Sequence, residues 1–298
     1  MAAYGLFLGC TIPNHLPHLE LAARKALAAL EVETTELIGA TCCPDPVGIP
    51  GLSKEGWLAI AGRNLCLAEE QGVDILTLCN GCYETLKEAR HELADAPTRA
   101  IVNEILAPLG KQYQGKVKVL HLVELLHREL GPAAIAERVT KPLTDLRVAV
   151  HYGCHLVRPS EVLALDDPEA PVFLDELVGA LGTTSVPYPR KMLCCGAGVK
   201  GFDKEQATNI GRSMAREKLL NVRQAEADCM VVTCPTCMSQ FDVNQGLIER
   251  AFGEKYDMPV FYYAELLALA LGVPPAELGF QFHRAKVDRA LAKLGEAK

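Results

Sequence analysis

The chain has 298 residues, 49% hydrophobic and 22% charged, with 37 acidic side chains against 30 basic ones and a formal net charge of −7. This composition excludes intrinsic disorder and collagen-like repeats, and the acidic balance lacks the basic face that nucleic acid would need. A length near 300 residues leads us to expect about two domains, large enough to bury a core without covalent staples.

The opening stretch, residues 1–10, is apolar and ends in Leu8-Gly9-Cys10. It lacks a basic leader and is too short for a signal peptide, so residues 4–8 read as a first buried strand. An amphipathic helix is expected at 17–30, a strand at 35–38, a helix at 59–70, a strand at 74–78, a helix at 83–93 and a strand at 117–120. The pattern then repeats, with strands at 148–151, 185–187, 230–233 and 260–262 and a long helix at 205–225. Apolar runs rich in Val, Ile and Leu alternating with helices predict an α/β fold with doubly wound parallel sheets. The longest apolar run, 264–273, is broken by Glu265 and Gly272 and falls short of the ~20 residues that span a bilayer. No transmembrane segment is expected, and the tail at 274–298 reads as a turn and a closing helix.

Twelve cysteines stand in a chain with no secretion signal. In the reducing cytoplasm where such a chain is expected, disulfide frameworks are rare, so the thiols should bind metal or react. Cys10, Cys42, Cys43, Cys79 and Cys82 fit C-x31-CC-x35-C-x2-C, and Cys154, Cys194, Cys195, Cys234 and Cys237 fit C-x39-CC-x38-C-x2-C. Flanking sequence repeats as well: "YGLFLGC" parallels "VAVHYGC", and "VDILTLCNGC" parallels "CMVVTCPTC". Two homologous domains, 1–144 and 145–298, are therefore expected, related by a pseudo-two-fold. Each cysteine group falls just after the carboxyl end of a strand, where open α/β sheets place their ligands. Cys82 and Cys237 should sit in the first turn of a helix, beside backbone N–H groups that favour thiolates.

A zinc site uses four ligands and would leave one thiol over in each half; a cubane iron–sulfur cluster also takes four cysteines. Five thiols per half ask for an uncommon cofactor, or for a reactive cysteine beside a four-ligand metal. The remaining residues have ordinary readings. Cys66 and Cys229 are packing cysteines, His151 and His155 are satisfied strand-end histidines, and Arg158, Arg190, Lys191 and Lys200 are solvated loop cations. His15 and His18 follow Cys10 less symmetrically and are weaker candidates. Trp57 and residues 46–51 are expected to form a loop over the first site.

The two cysteine sets, with "CCPDPVG" in the first and "CCGAGVKG" in the second, resemble the duplicated cysteine-rich CCG domain of the heterodisulfide reductase B subunit over essentially the whole chain. Some relatives in that family have lost cysteines from one set; both are complete here. The resemblance implies a catalytic subunit that reduces or forms a disulfide or thiol substrate between two noncubane 4Fe–4S clusters. Cys10, Cys42, Cys43, Cys79 and Cys82 would hold the first cluster, and Cys154, Cys194, Cys195, Cys234 and Cys237 the second. It also implies a ferredoxin-like iron–sulfur C subunit and a flavin-containing A subunit as partners, because this chain has no motif for a conventional cubane relay. The competing expectations are an electron-relay subunit of a flavin- or quinone-linked dehydrogenase, and a structural protein with zinc in one or both sites.

Overall fold

A computed structural model of the chain describes residues 3–199 and 204–295. The first sheet contains β1 (Tyr4–Phe7), β2 (Thr34–Glu36), β3 (Asp74–Thr77) and β4 (Val119–His121), in the order β2-β1-β3-β4. The second contains β5 (Arg147–His151), β6 (Thr184–Ser185), β7 (Cys229–Val232) and β8 (Val260–Tyr262), in the order β6-β5-β7-β8. All neighbouring strands are parallel, so the two sheets match strand for strand. The duplication in the cysteine spacing is thus a duplication of fold, and the chain is an α/β protein of two homologous units.

The central strands are apolar on both faces because helices cover both faces. Ile75, Leu76, Val148, Ala149, Val150, Met230, Val231 and Val232 are fully buried. The expected helices form as Pro17–Ala29, Lys54–Gln71, Asn80–Glu92 and Lys204–Gln224. The second begins ahead of its apolar periodicity because Ser53 caps it, accepting the Gly56 N–H at 3.1 Å. That extra turn draws Trp57 into the helix, where it is a buried core residue. The expectation that Trp57 belongs to a loop over the first site is therefore wrong: its indole is in the core.

The helix after the last strand of each sheet crosses to the other half. Tyr263–Ala270 packs along Pro17–Ala29 of the first half. The segment after β4, Leu122–Glu124 continued by the wide turn Leu125–Leu130, leans on Phe173–Ala180 of the second. There His127 meets the Phe173 ring edge-on and places Nε2 2.7 Å from Glu176 Oε2. The closing helix spans Asp288–Lys293. Among the described residues, no helix is long and apolar enough to cross a membrane.

Candidate metal centre

All ten cysteines of the two sets follow strands of the two sheets. Cys79 and Cys234 take the N-cap positions of the helices Asn80–Glu92 and Pro235–Met238, which puts Cys82 and Cys237 in the first turns. The backbone N–H groups of Cys237 and Thr236 reach the Cys234 sulfur. Gly9 explains how close the backbone comes: its φ is +67°, and a Cβ there would lie 2.7 Å from Cys82 Sγ.

The thiols form one line of contacts. Cys10 and Cys42 are 3.8 Å apart at sulfur. Cys42 touches Cys43, Cys43 touches Cys82, and Cys82 touches Cys79. Cys79 then meets Cys234 of the other half. Beyond it come Cys237, Cys195, Cys194 and Cys154, the last pair also 3.8 Å apart. The second half retraces the order of the first, with the pseudo-two-fold falling between Cys79 and Cys234. Cys10 and Cys42, at one end, are exposed; Cys154 and Cys194, at the other, are half-buried.

Crowding decides which thiols ionise. Hydrogen bonds from Cys42 and Cys82 pull Cys43 down to about 4, and those from Cys154 and Cys195 pull Cys194 down to about 2. Cys237 and Cys79 likewise hold Cys234 well below the ordinary thiol range. Their donors take the opposite shift: Cys42, Cys79, Cys82, Cys154 and Cys237 are raised, and Cys195 is pushed up to about 12, first by its bond to Cys194. Ten adjacent sulfurs can ionise together only if cations share the charge. A polynuclear iron–sulfur centre, which is bound through thiolates, suits such a donor set.

A cavity of about 400 Å³ lies between the halves. Asp45, Pro46, Val47, Gly48 and Ile49 wall one side, and Cys154, His155, Cys194, Cys195, Cys234 and Cys237 the other. Residues 46–49 thus face the second cysteine set, while Pro46 also stands over the first, its Cδ 3.8 Å from where a Cβ at Gly81, between Cys79 and Cys82, would lie. Val47 approaches the loop after Cys195, its Cγ2 3.6 Å from where a Gly198 Cβ would stand. The chain crosses here because the two halves present their strand ends to each other.

His155 is no ordinary strand-end histidine. Its Nδ1 pairs with the Glu84 carboxylate of the other half; burial lowers its pKa, but Glu84 outweighs that and raises it. His151 is buried edge-on against Phe241 with neither ring nitrogen hydrogen-bonded, so it is not satisfied either. Burial, and then the nearby Lys218 charge, hold it down to about 3, and it stays neutral. Cys66 and Cys229 are buried outside both sets, as packing requires. Arg158 pairs with Glu169, Arg190 with Glu217 and Lys191 with Asp175, so these cations are engaged within the fold. Lys200 lies outside the described residues. His15 is exposed.

Lys218 was not singled out from the sequence. It is fully buried, donates to the Arg190 and Lys191 carbonyls at 2.9 and 2.6 Å, and so holds the turn that leads into Cys194 and Cys195. Burial lowers it to about 7, while Cys237, Cys195 and Cys194 favour its charge. A signal was present: Lys218 continues the buried stripe of Gly211, Ala215, Leu219 and Val222, where a lysine is out of place.

Two parallel α/β repeats that bring ten cysteines into one line define a duplicated cysteine-rich α/β protein. The cysteine-rich domain model CCG matches residues 4–87 and again 148–242, and the chain belongs to this family, in the company of the B subunits of heterodisulfide reductases. It is 45% identical over 297 residues to a Methanosarcina acetivorans protein, the B subunit of the Ferredoxin/F(420)H(2)-dependent CoB-CoM heterodisulfide reductase, covering 99% of this chain and 98% of the relative. It is 42% identical to the B subunit of the Ferredoxin:CoB-CoM heterodisulfide reductase of Methanosarcina mazei, over the same shares of the two chains. A hypothetical protein from Helicobacter pylori shares the fold, with a TM-score of 0.73 at 14% identity, over 96% of this chain and 52% of that one. The chain therefore spans about half the length of that structure.

Proposed function

We propose that the chain is the catalytic subunit of a heterodisulfide-reductase-like complex, an oxidoreductase that reduces or forms a disulfide between two noncubane 4Fe–4S clusters. The observation that carries this reading is the unbroken line of ten thiols, joined across the halves at Cys79 and Cys234, beside a cavity walled by both halves. Cys10, Cys42, Cys43, Cys79 and Cys82 hold one cluster, and Cys154, Cys194, Cys195, Cys234 and Cys237 the other. When bound, the clusters supply single electrons and iron sites for sulfur.

The chain's own residues set the conditions. The loop from Asp45 to Ile49 and the turn at Gly198 narrow the cavity and orient a disulfide or thiol along it. Thr233 and Asn80 tie the two cluster sites together, Thr233 Oγ1 lying 3.1 Å from Asn80 Oδ1 and Asn80 Nδ2 donating to the Tyr152 carbonyl at 2.7 Å. His155, paired through Nδ1 with Glu84 of the first half, stands at the cavity wall within reach of a released thiolate and is the chain's candidate proton donor there.

Electrons enter or leave through a ferredoxin-like iron–sulfur C subunit, beside a flavin-containing A subunit, in the cytoplasm. The border between the units falls at 144/145. Anaerobic preparation of the complex should give about four iron and four sulfide per half, with turnover of a thiol or disulfide substrate. One zinc per half without sulfide would overturn the iron reading in favour of a structural zinc protein. Clusters without any thiol turnover would leave the chain a relay.

A further inference from the structure

His18, Glu265 and His283 come from three distant segments. His18 lies on the helix Pro17–Ala29, Glu265 on Tyr263–Ala270, and His283 in the C-terminal segment that follows. A ring nitrogen of each histidine and a carboxylate oxygen of Glu265 lie within 4.8 Å of one another. All three are buried: His18 and His283 are each 3% exposed and Glu265 0%.

Two of these residues explain each other. Glu265 Oε2 accepts the Tyr262 N–H at 2.7 Å, and Oε1 stands 2.8 Å from His283 Nε2. His18 is left over, with neither ring nitrogen hydrogen-bonded, and His283 Nδ1 also has no hydrogen-bond partner. Buried imidazoles normally find a partner for at least one nitrogen. A buried ring that has none, with its centre 5.1 Å from that of a second histidine and a carboxylate beside it, offers a lone pair to an ion.

The surroundings agree. Asp242 Oδ1 stands behind His283, 3.9 Å from Nδ1, and the Asp242 carboxylate is pinned by the Arg284 and Ala285 N–H groups. An outer carboxylate behind a ligating histidine is a common support for metal sites. Phe280 and Phe261 pack on the His283 ring, and Phe282, itself exposed on its outer face, stacks on His18, which leaves His18 only 3% exposed. Gly279, at φ +74°, lets the C-terminal backbone approach His18: a Cβ there would lie 2.8 Å from His18 Cβ.

We propose that His18, Glu265 and His283 bind one divalent transition-metal ion, zinc by donor class, at a structural site separate from the ten cysteines. Two imidazoles and a carboxylate are borderline donors suited to zinc. Bonds of ~2.0–2.2 Å bring donors to within roughly 3.5 Å of each other, so the His18 ring has to move inward by about an ångström. No hydrogen bond opposes that movement. The ion clasps the C-terminal segment to both halves.

The test uses full-length, cluster-loaded protein incubated with zinc chloride, desalted, and read by zinc X-ray absorption and metal analysis. About one zinc per chain with a shell of nitrogen and oxygen only is expected, with iron unchanged. His18→Phe, which fills the same space, should lose that zinc and keep its iron and circular dichroism. No retained zinc in the wild type, zinc held only by sulfur, or an unaltered nitrogen-and-oxygen zinc in His18→Phe would each overturn the proposal. If His18→Phe does not fold, the wild-type spectrum decides between these outcomes alone.

Discussion

Cys79 and Cys234 meet thiol to thiol, each at the N-cap of a helix and each from a different repeat. The two cysteine sets are thereby in contact, and the Asn80–Thr233 hydrogen bond joins the same strand ends beside that sulfur pair. The cavity nevertheless touches only cysteines of the second set.

That asymmetry makes paired variants informative. Cys42→Ala and Cys195→Ala should each abolish the electron paramagnetic resonance signature of one cluster and preserve the other, because each removes a thiol from one cysteine set and leaves the five of the other in place. Disulfide turnover should fall by roughly a hundredfold or more in both. Near-normal turnover in Cys42→Ala would assign catalysis to the second site alone and make the first a relay.

Lys218→Met keeps the bulk of the side chain and removes its charge. Positive charge near a cluster favours the reduced state, so the second cluster's potential should fall by roughly tens of millivolts while the first is unmoved. Since burial sets Lys218 to about 7, the wild-type potential should decline as pH rises through that value. Redox titration at pH 6 and pH 8 should show a slope that the variant lacks; equal slopes in both proteins would sink the idea.

Acid sensitivity should arise in part at His121. Burial lowers its pKa to about 4, against an ordinary value of 6.5, so below pH 6.5 the unfolded chain takes up a proton that the folded chain refuses. Stability is therefore full above pH 6.5, declines as pH falls from there to about 4, and loses roughly 3 kcal/mol from this group. His121→Asn keeps an acceptor for the Val123 N–H, made at 3.2 Å in the wild type, and removes the titration. Denaturant unfolding between pH 4 and 7 should then be flatter for the variant; parallel curves would exclude His121 as the source.

Gly196→Ala should break the second site at its turn. Gly196 has φ +84°, and a Cβ there would sit 2.6 Å from the Gly211 carbonyl oxygen. The strain is roughly 1–3 kcal/mol before the clash is added, and it displaces the neighbouring Cys194 and Cys195. Loss of the second cluster spectrum and a lower Tm are expected. Gly51→Ala, at a position with open space around it, serves as the comparison and should change neither.

Much of this was legible in the chain. Five cysteines repeated in order, with apolar strands ahead of Cys10, Cys79, Cys154 and Cys234, were enough to place the strand-end sites, although the edge strands ahead of the two vicinal pairs, Thr34–Glu36 and Thr184–Ser185, are short and polar. The partners of individual side chains were not legible. His155 and Glu84 are 71 positions apart and meet only because the repeats face each other, and Lys218, though it interrupts the apolar stripe of its helix, finds its acceptors in the distant turn at Arg190 and Lys191. The cover at residues 46–49 was visible as a loop, but which set it covers depends on the packing of one half on the other.

The exchange of helices between the halves carries a consequence for any single copy of the repeat. Pro17–Ala29 is covered by a helix from the second repeat, and Phe173–Ala180 is covered by the segment that follows β4 of the first. One copy alone would leave an apolar helix bare and a covering helix with nothing to cover, and a second copy related by a two-fold would supply both. The chain is in effect a two-fold symmetric dimer carried on one polypeptide, and cutting it at the junction of the repeats should yield two fragments that hold together rather than two independent proteins.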